Sequence, residues 1–271
     1  MLGLGVGFYK LAGNDYPGGF APNQINNLAM WLQFNTGITA DQDNGGEEAE
    51  TYDPMHSTDD GTMLDEDRIN QWTDQSGNTV HAQQTTYEDK PLWETDAADL
   101  GGVNFPNGQK FMDLARTISI AANTDFTIVA RFKAIDTSSN AFLGSSNTEF
   151  LRLQTNSRIR LKVNNLSNCN FDADSGTIAT DTYYTLILTR SNGSTGTLNL
   201  YIKGGVYSTA TGVEWPGGGT RPEGPLTIEN LGCQADDSEG WRGFFKDVLV
   251  YNGTAVTSAE RQLLFDYIEG Q

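Results

Sequence analysis

Few side chains in this sequence could act as acid, base, nucleophile or metal ligand in a recognisable pattern. His56 and His81 are its only histidines and neither stands in a ligand-spaced motif, so a histidine-ligated hydrolytic metal has nothing to build on. No Gly-x-Ser-x-Gly elbow occurs, and a serine or cysteine triad would lack its base. Carboxylates are plentiful: 35 Asp and Glu stand against 17 Lys and Arg, for a net charge of −18 at pH 7. Eleven of them fall between Asp41 and Asp67 with only Arg68 to balance them, so that stretch holds ten of the net negative charges. Hard cations favour clustered oxygens, which makes Asp41 and Asp43, and Asp172 and Asp174 in "DADSG", candidate Ca²⁺ or Mg²⁺ ligands. Yet "DQDNGGEEAETY" fails the EF-hand spacing, with Tyr52 in the twelfth position where Glu would stand. A solvated acidic loop with no cofactor is the reading preferred for that stretch.

Binding groups are easier to find than reacting ones. Sugars are held by aromatic faces with polar groups around them, and "GVEWPGGGTRPEG" puts Trp215 and Arg221 in a Pro- and Gly-rich loop that cannot be a central strand. Trp215 either faces a glycan or folds back as a lid. The acidic excess is the wrong sign for neutralising phosphates, so nucleic acid and anionic membrane are not expected partners. No stretch is long and apolar enough to span a bilayer, and the N-terminus lacks the cationic start and apolar run of a signal peptide. Export by the secretory route is not expected. Cys169 and Cys233 read as two buried thiols rather than a bridge.

The elements that must position these residues are strands. A chain of 271 residues suits one large β domain, and from Thr117 onward short alternating runs recur between Gly, Asn and Ser. "FTIVARFKA" puts Phe126, Ile128, Ala130 and Phe132 on one face and Arg131 and Lys133 on the other. "RIRLKVNN" alternates as a half-solvated strand, "YYTLILTRSNGSTGTLNLYIKG" reads as a hairpin turning at Ser191 to Gly196, and "GFFKDVLVYN" adds a strand near the end. Helix is scarce. Thr257 and Glu260 have capping-box spacing, and Leu263, Leu264, Tyr267 and Ile268 form the stripe that would dock a short C-terminal helix.

The order "LAMWLQFNTGITAD", "INQWTDQSGNTVHAQQ", "KPLW", "LGGVNFPNGQKFMDL", "FTIVARFKA", "LILTRSNGSTGTLNLYIKG" and "GWRGFFKDVLVYNGTAVTSAERQLL" resembles the laminin-G-like, concanavalin A-like jelly-roll superfamily. The resemblance runs from about Leu28 to Ile268, and its most specific parts are the turn from Trp72 to Asn78 and the closing strand with its helix start. It implies an all-β, antiparallel two-sheet jelly-roll sandwich with a short C-terminal helix, and it puts Trp31, Trp72, Trp93 and Trp241 in the core. The fold hosts lectins, glycosidases, adhesion modules and viral structural proteins, so it implies no single function. Its laminarinase-like branch sets catalytic acids on one strand face as Glu-x-Asp-x-Glu or Glu-x-Asp-x-x-Glu. The nearest match, "ETDAAD" from Glu94 to Asp99, ends in Asp and lacks flanking apolar alternation, so no catalytic residue is expected and a glycoside hydrolase is the least favoured reading.

Ahead of that domain, "MLGLGVGFYK" puts Leu2, Leu4, Val6 and Phe8 on one face of an extended segment, with Gly13 to Asn26 as a flexible joint. Pairing with a partner's sheet edge would cover such a strand, an edge strand within the chain or a loose tail being the alternatives. A Leu/Gly leader before a laminin-G-like sandwich resembles tailed-bacteriophage virion proteins. The expectation is then an arm and joint over residues 1–26 and a jelly roll over 27–271, with an acidic loop inserted at about 41–68. The expected role is a non-enzymatic virion structural protein, a capsid decoration or tail appendage, assembled in the host cytoplasm and held by its arm to other virion proteins. A lectin-like module for host-surface glycans is the alternative. Homo-oligomers are compatible with either.

Overall fold

The computed structural model describes residues 19–41, 67–94, 101–138, 140–154, 158–164, 169–171, 178–192, 197–204, 207–214, 223–234 and 239–271, with backbone alone at 41 and 207–214. The first strands are β1 (Leu28–Gln33), β2 (Ile38–Asp41), β3 (Arg68–Trp72), β4 (Ala82–Gln83), β5 (Leu92–Glu94) and β6 (Gly102–Phe105). Next come β7 (Met112–Ile120), β8 (Phe126–Ala134), β9 (Asn140–Ser146), β10 (Glu149–Gln154), β11 (Arg158–Lys162) and β12 (Cys169–Phe171). The chain closes with β13 (Tyr183–Arg190), β14 (Leu198–Gly204), β15 (Tyr207–Glu214), β16 (Leu226–Leu231), β17 (Gly243–Asn252) and helix α1 (Ser258–Glu269).

All pairings are antiparallel and form two layers. One runs β15–β14–β13–β8–β17, with β6 and β1 sharing the far edge of β17. The other runs β2–β3–β4–β7–β16–β9–β10–β11–β12. β5 pairs with both β3 and β6 and ties the layers along one side, so the sandwich is nearly closed. The expected concanavalin A-like, all-β sandwich with one C-terminal helix is the observed fold.

Alternation explains the core. Phe126, Ile128, Ala130 and Phe132 of β8 face inward with Leu186 and Leu188 of β13, and Leu151, Leu153, Ile159 and Leu161 meet them from the second layer. Three of the four expected tryptophans lie between the layers: Trp72 and Trp241 are fully buried, and Trp93 stacks on Phe34 at 4.4 Å. Trp31 is buried too, but on the outer side of the first layer, under α1. β17 cannot alternate throughout, because Phe245 and Val248 both point inward three residues apart. A register shift between Phe245 and Asp247 absorbs the odd residue.

α1 starts where the sequence says. The Thr257 hydroxyl accepts from the Glu260 N–H at 3.3 Å and the Glu260 carboxylate accepts from the Thr257 N–H at 2.7 Å. The docking stripe differs from the expected one. Leu264, Phe265 and Ile268 are buried, whereas Leu263 is 40% exposed, because the helix is rotated to set Phe265 against the sheet. Each such side chain contributes roughly 1.5–3 kcal/mol by leaving water.

The described end of the joint packs locally: Pro22 is buried, Ile25 is 4% exposed, and the Tyr251 hydroxyl donates to the Pro22 carbonyl at 3.1 Å. Asp41 and Arg68 are register partners, so the acidic stretch leaves and re-enters the sheet at one point. Asp67, just before β3, is 3% exposed and its carbonyl accepts from the Trp93 N–H at 2.7 Å; residues 42–66 lie outside the described residues.

Candidate functional site

The turn from Trp72 to Asn78 is a clip. Asp74 is 6% exposed, and its two carboxylate oxygens accept from the N–H groups of Trp31, Ser76 and Val80 and from the Ser76 hydroxyl, at 2.7–3.0 Å. His81 Nδ1 accepts from the Asp74 N–H at 3.1 Å, so this histidine serves the turn. Trp72 Nε1 donates to the Gln33 carbonyl at 2.8 Å and locks the turn to β1. Carboxylate oxygens that receive backbone donors make strong, charge-assisted bonds, which is why the motif needs Asp.

Beyond the clip lies a cleft of about 320 Å³ between the start of β1 and Arg116 to Ser119 of β7. Its polar lining is Asn27, Asn78, Arg116, Thr117, Ser119 and Asn252. Asn78 Nδ2 donates to the Leu28 carbonyl at 2.6 Å, Arg116 Nη1 to the Asn78 carbonyl and Asn252 Nδ2 to the Ser119 carbonyl, each at 3.0 Å. Among the described residues the lining thus offers amides, hydroxyls and one guanidinium, groups suited to a hydroxyl-rich ligand, and no carboxylate, imidazole or thiol for proton or acyl transfer. Sequence reasoning missed this cleft because its residues come from four separate segments; Asn78, inside the clip motif, was the available signal.

Three described carboxylates elsewhere are engaged or enclosed. Glu94, the one described member of "ETDAAD", sits at the end of β5 and accepts from Asn104 Nδ2. Asp136 accepts from Ser138, Asn140 and Arg242; burial pushes its carboxyl up, but these donors outweigh it and bring it down to about 2. Asp247 is the register partner of Arg131 and only 2% exposed. Burial pushes it up to about 7 against the pull of Arg131 and Lys246. A carboxyl shifted that far marks a catalytic candidate only where substrate can reach it, and this one is enclosed. Cys169 and Cys233 form no disulfide and are both buried, as expected, and burial raises the Cys169 thiol to about 12.

The remaining sequence candidates are not brought together by described structure. Leu2, Leu4, Val6, Phe8, Asp43, Asp172, Asp174, Trp215 and Arg221 lie outside the described residues, and Asp41 is placed by backbone alone, at the end of β2. β15 extends to Glu214, three residues into the stretch expected to be loop, and occupies the edge of its layer. Among the described residues no group of three His, Cys, Asp or Glu could hold a metal ion.

Similar architectures occur in the Trypanosoma rangeli sialidase, at 15% identity and a TM-score of 0.46 over 89% of this chain and 32% of the sialidase chain. Domain 4 of an extracellular arabinanase from Geobacillus stearothermophilus aligns at 15% identity and 0.45, over 71% of this chain and 91% of that domain. The enzymatically active domain of bacteriophage CBA120 tailspike protein 2 aligns at 12% and 0.44, over 70% of this chain and 30% of that one. This chain therefore spans about a third of the sialidase and of the tailspike. No curated protein matches it. Residues 106–260, more than half of the chain and running from the turn before β7 into α1, match a laminin G family, and the protein belongs to the concanavalin A-like lectin/glucanases superfamily.

Proposed function

We propose that this protein is a non-enzymatic structural component of a tailed-bacteriophage virion, held to the particle by residues 1–12 and displaying its sandwich outward. The observation that supports this reading is the lack of need for the arm. Among the described residues the large exposed apolar side chains are Ile135 and Leu263 alone, and these are only 39% and 40% exposed. The sandwich thus presents no described apolar patch for Leu2, Leu4, Val6 and Phe8 to cover, and a partner's sheet edge can take them instead. Deleting residues 1–12 tests this: the melting temperature is expected to stay within about 1 °C while incorporation into particles is lost. Normal incorporation, or a fall of several degrees, overturns the reading.

A second reading, carbohydrate binding without cleavage, is favoured by the amide and hydroxyl lining of the cleft beside Asn78. A glycan-array screen of the full chain is expected to give binding with no product release. Cleavage of a bound glycan would refute both readings at once.

A further inference from the structure

The outward side of β10 and β11 runs against the charge of the whole molecule. Their register sets Arg152 opposite Arg160, with Phe150 opposite Lys162 and Gln154 opposite Arg158. Side chains opposite one another on neighbouring strands are about 5 Å apart at Cβ, so like charges placed there repel. Nothing in the core asks for this: Leu151, Leu153, Ile159 and Leu161 supply the inward face of the same two strands. A protein with 35 acidic and 17 basic residues has therefore gathered cations on one patch.

These groups are also held in place. The Arg152 guanidinium lies 4.5 Å from the centroid of the buried Phe150 ring, and its Nη1 donates to Gln234 Oε1 at 2.8 Å. Arg152 Nε is buried and its side chain is only 13% exposed, so this cation lies beneath the patch and adds to its field. Arg160 donates through Nε to Asn170 Oδ1 at 2.7 Å, which leaves its terminal nitrogens for another acceptor. Lys162 Nζ meets the Asn147 carbonyl at 3.2 Å. Among the described residues the one carboxylate paired with these three cations is Glu239, at 3.7 Å from Arg152 and itself 41% exposed. The planar Arg160 guanidinium, fixed through Nε, is prepared to take an oxyanion with its terminal donors. Around the cations stand side-chain amides, Asn147, Asn170 and Gln234, which suit hydroxyls.

We infer that the outer face of β10 and β11 binds an acidic polysaccharide, with Arg160 and Lys162 on its carboxylate or sulfate groups, Arg152 adding its charge from beneath, and the neighbouring amides on its hydroxyls. Duplex DNA is a poorer fit. Three cations in a chain of net charge −18 release too few counterions, and Phe150, the aromatic at the patch, is buried and offers no stacking surface. The site shares no residue with the cleft or the arm, so it stands or falls apart from the readings above.

The test titrates the full chain, by calorimetry at low and at physiological salt, with polygalacturonate, dextran sulfate, neutral dextran and duplex DNA. Polygalacturonate or dextran sulfate is expected to bind, the stronger of the two identifying the oxyanion, and neutral dextran and DNA at least tenfold more weakly. The double variant Arg160→Gln, Lys162→Gln is expected to weaken binding at least tenfold with an unchanged melting temperature. Arg261→Gln, which removes an equal kind of charge from α1, should leave the affinity within twofold. Failure of both acidic polymers to bind, equal binding of neutral dextran or DNA, or an affinity indifferent to the double variant would overturn the inference.

Discussion

The two layers of this sandwich share one interior but have opposite outer faces. Behind β8, β13 and β17 the outward residues Val129, Ile187, Leu249 and Tyr251 form a second apolar cluster with Trp31, closed by Leu264, Phe265 and Ile268 of α1. On β10 the outward Phe150 and Gln154 are buried and the Arg152 side chain is 13% exposed, while β11 turns Arg158, Arg160 and Lys162 outward, and α1, the one α-helix among the described residues, lies on the other layer. A strand's inward positions thus establish the fold, while its outward positions decide whether a layer is closed by its own chain or left to meet something else.

The comparison can be broken most strongly at the covered face. Leu264→Ala removes a fully buried side chain from the helix–sheet contact and is expected to cost about 2–5 kcal/mol, with a fall of roughly 10 °C in the melting temperature. A loss under about 1 kcal/mol by denaturant titration would mean that α1 adds little to the layer beneath it. A smaller effect should appear where the covered face turns polar, at Asp247. Its folded pKa, about 7, lies above the unfolded value near 3.9, so ionisation is harder in the folded state. The wild type should therefore lose stability as pH rises from about 4 to 7 and level off above, because the unfolded chain gives up its proton first. Urea midpoints of Asp247→Asn and wild type between pH 4 and 8 should diverge in the variant's favour as pH rises, and parallel curves would refute the buried, protonated carboxyl. The smallest effect belongs to the open face. Arg160→Gln relieves the repulsion with Arg152 and is expected to change stability by under about 0.5 kcal/mol, in the stabilising direction. A loss above about 1 kcal/mol would assign Arg160 to packing instead.

Much of the fold was legible because alternation is a local signal. Phe126 to Ala134, Gly243 to Asn252 and the hairpin around Ser191 occupy the strands their patterns implied, and the Thr257–Glu260 box starts the helix. β7 was harder to read. Its pairing with β16 shifts register between Ile228 and Asn230, and Ala115, Arg116 and Thr117 are all exposed in sequence, which hides the period of two. The outward apolar residues of β8 were also obscured: Val129 sits between Ile128 and Ala130, so a doubly buried strand reads as a plain apolar run until the helix that covers it is known. Binding groups were the least legible. Arg152 and Arg160 become neighbours only through strand pairing, and Asn27 and Arg116 come to line one cleft only in the folded chain.

Phe20 meets Tyr267 edge-on at 6.1 Å, and Gln33 Nε2 donates to Gln271 Oε1 at 2.7 Å, so residue 20 and the C-terminal residue both lie on the helix-backed side. Either position is a handle on the same side of the molecule. Copies tethered by such a handle to any broad support, whether a sensor chip or a bead, would stand with α1 toward the support and the arginine-bearing strands toward the solution, a common orientation set by the packing of one aromatic pair.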